Sequence, residues 1–395
     1  MSDAVLVLNA GSSTIKVGLF EVSGQNEPKL LCKGLLDEHG AEPRLLIKDP
    51  QGLVLFDRHR TSKGGEDGLL NDILNWVDAY LVSDDLLAIG HRVVHGGPDF
   101  VRPIQLSNEV TDALQALAPL APLHQTRCLT PVRAIKALRP EMPQIACFDT
   151  AFHHALPALT RRFAVPRHLE DMGIRRYGFH GLSYEFIARR LAEISPELVE
   201  KRTVVAHLGS GASLCAMRNG VSVDTTMGLT PLDGLMMGTR CGAIDPGVLL
   251  YLQQVHGMSA DELTHLLYEQ SGLLGVSGLS ADMRTLLASA DPRAAEAIDL
   301  FVFRAAREIS AMANSLNGLE CLVFTGGIGE SGAGIREQIC KQLSWLGVVL
   351  DPPKNSRSED CIAASTSTID LRVVPTSEET TIARGCVEFL SLTDN

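Results

Sequence analysis

Three glycine-rich stretches, two arginines set among small residues, and a few isolated carboxylates and histidines are the parts of this chain suited to chemistry. The stretches are Asn9-Ala10-Gly11-Ser12-Ser13, Gly209-Ser210-Gly211 and Gly326-Gly327-Ile328-Gly329. Glycine and serine at a strand turn let backbone N–H groups approach a phosphate with no Cβ in the way. Lys16, two residues beyond Thr14, adds a positive charge beside the first turn. One such turn alone is usually an ordinary tight hairpin. Two at matching places, with a third behind them, favour phosphate binding. The sequence has no G-x-x-x-x-G-K-[ST], so a P-loop fold is not expected.

Arg92 lies in His91-Arg92-Val93-Val94-His95-Gly96-Gly97, and Arg240 in Met237-Gly238-Thr239-Arg240-Cys241-Gly242. Loops flanked by glycine can bring a guanidinium to a ligand, where its planar fork makes two-pronged contact with carboxylate or phosphoryl oxygens. A structural ion pair is the alternative for each. His180 sits between glycines in Tyr177-Gly178-Phe179-His180-Gly181. His124 and His207 also adjoin loops, and a hydrogen-bonded structural role stays open for all three. His153-His154 has no matching Cys or carboxylate and reads as structural. Asp149 ends the apolar run QIACF, and a carboxylate at the carboxyl end of a strand faces the usual α/β ligand crevice. Asp282 and Arg284 sit together in SADMR. Glu378 opens a helical segment, either as a functional carboxylate or as a simple cap.

These residues need elements to hold them. Residues 5–20, VLVLNAGSSTIKVGLF, and 203–218, TVVAHLGSGASLCAMR, share a pattern of apolar run, tight turn and second strand-like run. Each predicts a β-hairpin opening an α/β half, and the pair suggests two related domains facing each other. Helical pattern over 67–80 and a short strand at Gln144–Phe148 imply mixed α/β layers. A strand at 321–324 runs into the third glycine turn and then a helix over 335–346. Residues 378–390 place Ile382, Cys386, Phe389 and Leu390 on one helical face. That helix can cross back, so the expected domains are 1–149 with 382–395, and 150–381. A chain of 395 residues fits two domains with a cleft.

Composition narrows the partners. Acidic residues outnumber basic ones, 47 to 35, for a formal charge of −12, which argues against nucleic acid. No apolar stretch approaches a membrane span, and the apolar run after Asp3 is too short for a signal core. Nine cysteines without a C-x-x-C pair suggest buried thiols in a reducing compartment, the cytoplasm.

Taken together, the motifs resemble the acetate kinase family, part of the superfamily of sugar kinases, actin and chaperone ATPases. NAGSSTIK, GHRVVHGG, APLH, FDTAFH, RRYGFHG, AHLGSGAS, DTTMGLTPLDGLMMGTR, SGLSADMR, FTGGIGE and EETTIA occur in order over nearly the whole chain. The resemblance implies two duplicated actin-like ATPase domains, ribonuclease H-like in topology, facing a nucleotide cleft. It implies Mg²⁺, with Mn²⁺ as a substitute, held by Asn9 and Glu378, and ATP or ADP as substrate. Ser12, Lys16, His207, Leu208, Gly209, Ser210, Gly211, Asp282, Met283, Arg284, Gly327, Ile328, Gly329, Glu330 and Ser331 would line the nucleotide. Arg92 would bind the acyl carboxylate, with Asp149, His180 and Arg240 in the catalytic cluster. Val94, Leu123, Phe179 and Pro231 would form the methyl pocket, and a homodimer is expected. The sequence departs from the family pattern at Thr14, Gln125, Leu182, Tyr184, Ser210, Cys241, Ala243 and Ser331.

The reaction so implied is in-line phosphoryl transfer between ATP and acetate, giving acetyl phosphate and ADP. A carboxylate acceptor is already ionised at neutral pH, so no strong base is required. Asp149 is therefore expected to orient an arginine or metal-bound water. A propionate or butyrate kinase would use the same motifs with a different pocket. An actin-like or chaperone-like ATPase switch would leave Arg92, Arg240 and His180 idle.

Overall fold

The computed structural model describes residues 3–11, 14–23, 27–37, 43–59, 65–81 and 85–393. Ser12 therefore lies outside the described residues. The chain divides into two compact units. One comprises Met1–His154, Gly181–Phe186 and Ser377–Asn395, the other Ala155–His180 and Ile187–Thr376.

The first unit is built on eight strands: β1 Asp3–Ala10, β2 Thr14–Val22, β3 Lys29–Asp37, β4 Arg44–Lys48, β5 Val54–His59, β6 Leu86–Val93, β7 Ile104–Gln105 and β8 Gln144–Phe148. They lie in the order β5-β4-β3-β2-β1-β6-β8-β7. β1, β6 and β8 run parallel, and β2 and β3 continue from β1 antiparallel. The second unit has five strands, β9 Thr203–Leu208, β10 Ala212–Arg218, β11 Val221–Thr225, β12 Cys321–Thr325 and β13 Asp370–Val373, in the order β11-β10-β9-β12-β13. Here β9, β12 and β13 are parallel, and β10 and β11 antiparallel. β3-β2-β1-β6-β8 and β11-β10-β9-β12-β13 thus share one order and one set of directions. The fold is a duplicated mixed α/β architecture. β1 and β9, whose hairpins echo each other in sequence, occupy the same place in each sheet.

The parallel strands read as nearly unbroken apolar runs because both faces are covered. β8 and β12 are buried at every position. On the first sheet, Ile382, Ala383 and Cys386 of the C-terminal helix Glu378–Thr393 pack against Val5, Val7, Ala88 and Ile145, with Phe389 and Leu390 at the edge of that cluster. The helical face expected from the sequence is the packed one. Two other expectations need adjustment. Gly326–Ser331 is a short helix, not a turn. The run 335–346 divides into helix Ala333–Gln342 and a 3₁₀ turn, Ser344–Leu346, closed by left-handed Gly347.

All nine cysteines are free thiols, and only Cys241 and Cys361 are not fully buried. Burial pushes Cys32, Cys215, Cys321 and Cys340 up to about 12 and Cys128 to about 11. Among the described residues no helix is long and apolar enough to cross a membrane.

Candidate active site

In the first unit the candidate residues collect at the carboxyl ends of the three parallel strands, where α/β sheets present ligands. Asn9 is near the end of β1, Arg92 near the end of β6, and Asp149 follows β8. Their backbones are interlocked: β6 pairs with β8 through Arg92 and Cys147, and the Asp149 N–H donates to Val93 O at 3.1 Å. Arg92 Nη2 donates to Asp149 Oδ2 at 2.6 Å, and Nε to both carboxylate oxygens at 3.0 and 3.1 Å. Nη1 donates to Ala10 O at 3.3 Å. A guanidinium has five N–H donors. Among the described residues, these contacts leave one donor each on Nη1 and Nη2. Burial opposes the Arg92 charge, but Asp149 and Glu378 outweigh it and raise the pKa. Burial likewise pushes the Asp149 carboxyl up while Arg92 draws it back, and the two-pronged contact is that of an ion pair.

Asn9, 3% exposed, spends both amide hydrogens on carboxylates, Glu378 Oε2 at 2.8 Å and Glu379 Oε1 at 2.7 Å. Ser377, not Glu378, caps the helix: its hydroxyl accepts from Thr380 N at 3.3 Å. That leaves Glu378 for another task. Two adjacent carboxylates are hard donors of the kind Mg²⁺ takes, one or two of them with substrate phosphate and water completing the shell, and here both accept from the amide nitrogen of Asn9. Lys16 stands opposite Asn9 in the β1–β2 register, with Nζ 3.8 Å from Glu379. Val94 is buried and Leu123 is 37% exposed.

The second unit presents its candidates at the matching strand ends. His207 is next to last in β9, and Gly326 follows β12. His180 has a left-handed backbone, φ 57°, at the entry to helix Gly181–Ile194. Its ring stacks on His207 with centroids 4.3 Å apart, and Nδ1 meets Ser213 Oγ at 2.9 Å. Arg240 Nη1 donates to the carbonyl of buried Pro231 at 2.6 Å. A Cβ on Gly211 would sit 2.6 Å from Arg240 Nη2 and 3.3 Å from His180 Nε2. The β9–β10 turn therefore admits both side chains only because that position is glycine. Phe179 is fully buried.

Beside this turn opens a cavity of about 440 Å³. Of the expected nucleotide residues, Gly209, Ser210, Asp282, Met283, Arg284, Gly327, Ile328 and Ser331 line it. Its apolar wall also includes Ala281 and Leu287. Leu287 is one helical turn beyond Met283, the spacing that would have revealed it. Gly326, at φ 76°, packs so closely on Leu208 that a Cβ would lie 2.8 Å from its carbonyl oxygen. Asp282 is pulled down to about 2, first by its hydrogen bond with Arg284, and caps helix Met283–Leu287 through the N–H groups of Arg284 and Thr285. The Leu208 side chain is buried in the core.

Gly329 and Glu330 are not part of the cavity wall. The Glu330 carboxylate instead accepts from Gly326 N at 2.9 Å and Thr376 N at 3.1 Å. Beneath the same short helix lies Arg336, fully buried, which sequence reasoning passed over. It donates to the carbonyls of Gly329, Glu330 and Asn355 and to the side chains of Asn355 and Ser358. Leu182 and Tyr184, two departures from the family pattern, are core residues.

The chain is similar to known proteins along nearly its whole length. The family model described as "Acetokinase family" matches residues 4–384. An acetate kinase of Rhodopseudomonas palustris is 50% identical over 390 residues, covering 97% of this chain and 98% of the relative. A crystal structure of a propionate kinase from Francisella tularensis superposes with a TM-score of 0.88 at 36% identity, over 97% of this chain and 98% of that one. Acetate kinase from Porphyromonas gingivalis superposes at 0.84 with 34% identity, over 98% and 100%. The chain belongs to the acetokinase family.

Proposed function

We propose that this protein is an acetate kinase, which reversibly moves the γ-phosphoryl group of ATP to acetate. The observation that carries this reading is the Arg92–Asp149 pair, which leaves one donor each on Nη1 and Nη2 of a charged guanidinium for a carboxylate. An acetate oxygen held there attacks the γ-phosphorus. The bond between that phosphorus and the β–γ bridging oxygen breaks, and ADP departs with the electron pair. No proton needs to move. Asp149 orients Arg92 and is not a base. Arg240 and His180 donate to the phosphoryl oxygens as charge builds on them. The cavity beside the Gly209–Gly211 turn holds the nucleoside, with Met283, Leu287 and Ile328 against the base. Gly327 and Ser331 lie near the phosphates.

Asn9 and Glu378 hold Mg²⁺, for which Mn²⁺ can substitute, and the bound cation neutralises phosphate charge. Val94, Leu123, Phe179 and Pro231 bound the methyl group. Lys16 and Ser12 add to the phosphate contacts. The protein acts in the cytoplasm as a homodimer. Helix Pro246–Val255 supports the dimer, since none of its residues is buried and Leu250, Tyr251 and Val255 are 54%, 56% and 61% exposed. The reading is tested by incubating the protein with ATP, Mg²⁺, hydroxylamine and acetate, propionate or butyrate. Acyl hydroxamate should form fastest with acetate, whereas ATP hydrolysis indifferent to all three acids would point to an ATPase switch.

A further inference from the structure

Only one ring nitrogen of His180 faces the β9–β10 turn. A Cβ on Gly211 would lie 3.3 Å from Nε2, and the same point is 2.6 Å from Arg240 Nη2. The other nitrogen, Nδ1, meets Ser213 Oγ at 2.9 Å. Ser213 lies in β10, is wholly buried, and stands opposite His207 in the β9–β10 register. Residues paired across two strands put their side chains on one face of the sheet. The serine hydroxyl and the His207 ring thus form a single seat for the His180 imidazole, which stacks on the one and hydrogen-bonds the other.

The direction of that hydrogen bond decides what Nε2 can do. A neutral imidazole carries its proton on one nitrogen, and the contact made by the other nitrogen sets which. If the hydroxyl donates to Nδ1, the proton sits on Nε2 and faces the turn. If the hydroxyl accepts from Nδ1, Nε2 is left with a lone pair, which repels a phosphoryl oxygen. An imidazolium would donate from both nitrogens, but it would stand beside the Arg240 guanidinium, whose like charge opposes it. A neutral ring with its proton on Nε2 meets both conditions. We propose that Ser213 is a positioning residue for phosphoryl transfer, whose hydroxyl donates to His180 Nδ1 and so points an N–H from Nε2 at the transferring group. The inference rests on the acetate kinase reading, in which His180 donates to phosphoryl oxygens.

The test uses the full-length protein as wild type, Ser213→Ala, His180→Ala and the double variant. Nitrogen NMR of protein carrying isotope-labelled histidine reads the tautomer directly, with the His180 signals identified by their loss in His180→Ala. At neutral pH the wild type should show a protonated Nε2 and a bare Nδ1, and Ser213→Ala should lose that distinction. In Ser213→Ala kcat should fall about three- to tenfold, less than the loss of the whole donor in His180→Ala, while the KM for ATP stays within about twofold. Adding Ser213→Ala to His180→Ala should change kcat by less than about twofold, because the hydroxyl acts only through the ring. A wild-type ring protonated on Nδ1 overturns the inference. So does an unchanged kcat in Ser213→Ala, or the same loss in the His180→Ala background. Should Ser213→Ala fail to fold, the wild-type spectrum alone decides. Failure of the underlying reading looks different: the wild type would then make no acyl phosphate from any acid, whatever its tautomer.

Discussion

Arg92 and Asp149 meet side by side, the guanidinium Nε and Nη2 both turned to one carboxylate that is itself fully buried. In the proposed reaction the pair is a positioning device that sets the direction of Arg92. Asp149→Asn keeps the shape but removes the charge and half of the acceptor capacity. The kcat/KM for acetate should fall about a hundredfold, the scale of a misplaced reactant, with little change in the KM for ATP. Uncompensated buried charge should also cost about 3–5 kcal/mol of stability, read by chemical denaturation. Normal acetate kinetics would leave the pair a purely structural ion pair.

Arg240→Ala should lose about 10²–10³ in kcat while binding nucleotide normally. The cavity proposed for the nucleoside does not include Arg240. Steady-state kinetics beside calorimetric titration with ATP separates the two effects. His180→Ala should behave in the same way but less severely.

Glu378→Gln should raise the Mg²⁺ concentration for half-maximal activity about tenfold or more, because an amide is a weaker partner for a hard cation or its bound water. Ser377 keeps the helix capped, but the Glu378 carboxylate accepts from buried Asn9 and offsets the buried Arg92 charge, so the melting temperature should fall as well. Activity titrated against Mg²⁺ at saturating ATP provides the measurement. An unchanged midpoint would remove Glu378 from the cation site.

His91 gives the protein a specific sensitivity to acid. Burial lowers its pKa from 6.5 to about 4, although its Nε2 contact with Gln144 Oε1, at 2.8 Å, opposes the shift. The unfolded chain therefore takes up this proton before the folded one does. Stability is complete above pH 6.5 and is lost as the pH falls toward 4, by about 3 kcal/mol at most. Denaturant titrations of wild type and His91→Gln should diverge in slope across that window and run parallel above it. Parallel curves throughout would show that the imidazole titrates normally.

How much of this was legible in the sequence depended on the range of the interactions. The β1–β2 and β9–β10 hairpins and the strand Gln144–Phe148 follow from local apolar runs and turn residues, and they appear where expected. The β3–β5 meander was not read, because half-exposed strands such as VLFDRH lack a clean alternation. Glycines suggested a turn at Gly326–Ser331, yet Arg336 collects carbonyls there and a short helix forms. Glu379 reveals its part only through contacts made across the fold, with Asn9 and Lys16. Gln125 was visible only as a departure from pattern. Its partners are backbone groups up to thirty positions away, which no side-chain pattern announces.

The buried thiols give the molecule an internal record of its own breathing. Cys32 lies in β3, Cys215 in β10 and Cys340 in helix Ala333–Gln342, each sealed from solvent and pushed up to about 12 by burial. An alkylating reagent at neutral pH finds almost no thiolate to attack until the surrounding element opens. Each adduct therefore timestamps one opening event, and peptide mass spectrometry can assign it to a strand or helix. Three natural probes, with no engineered label, would show whether the two sheets loosen together or one before the other.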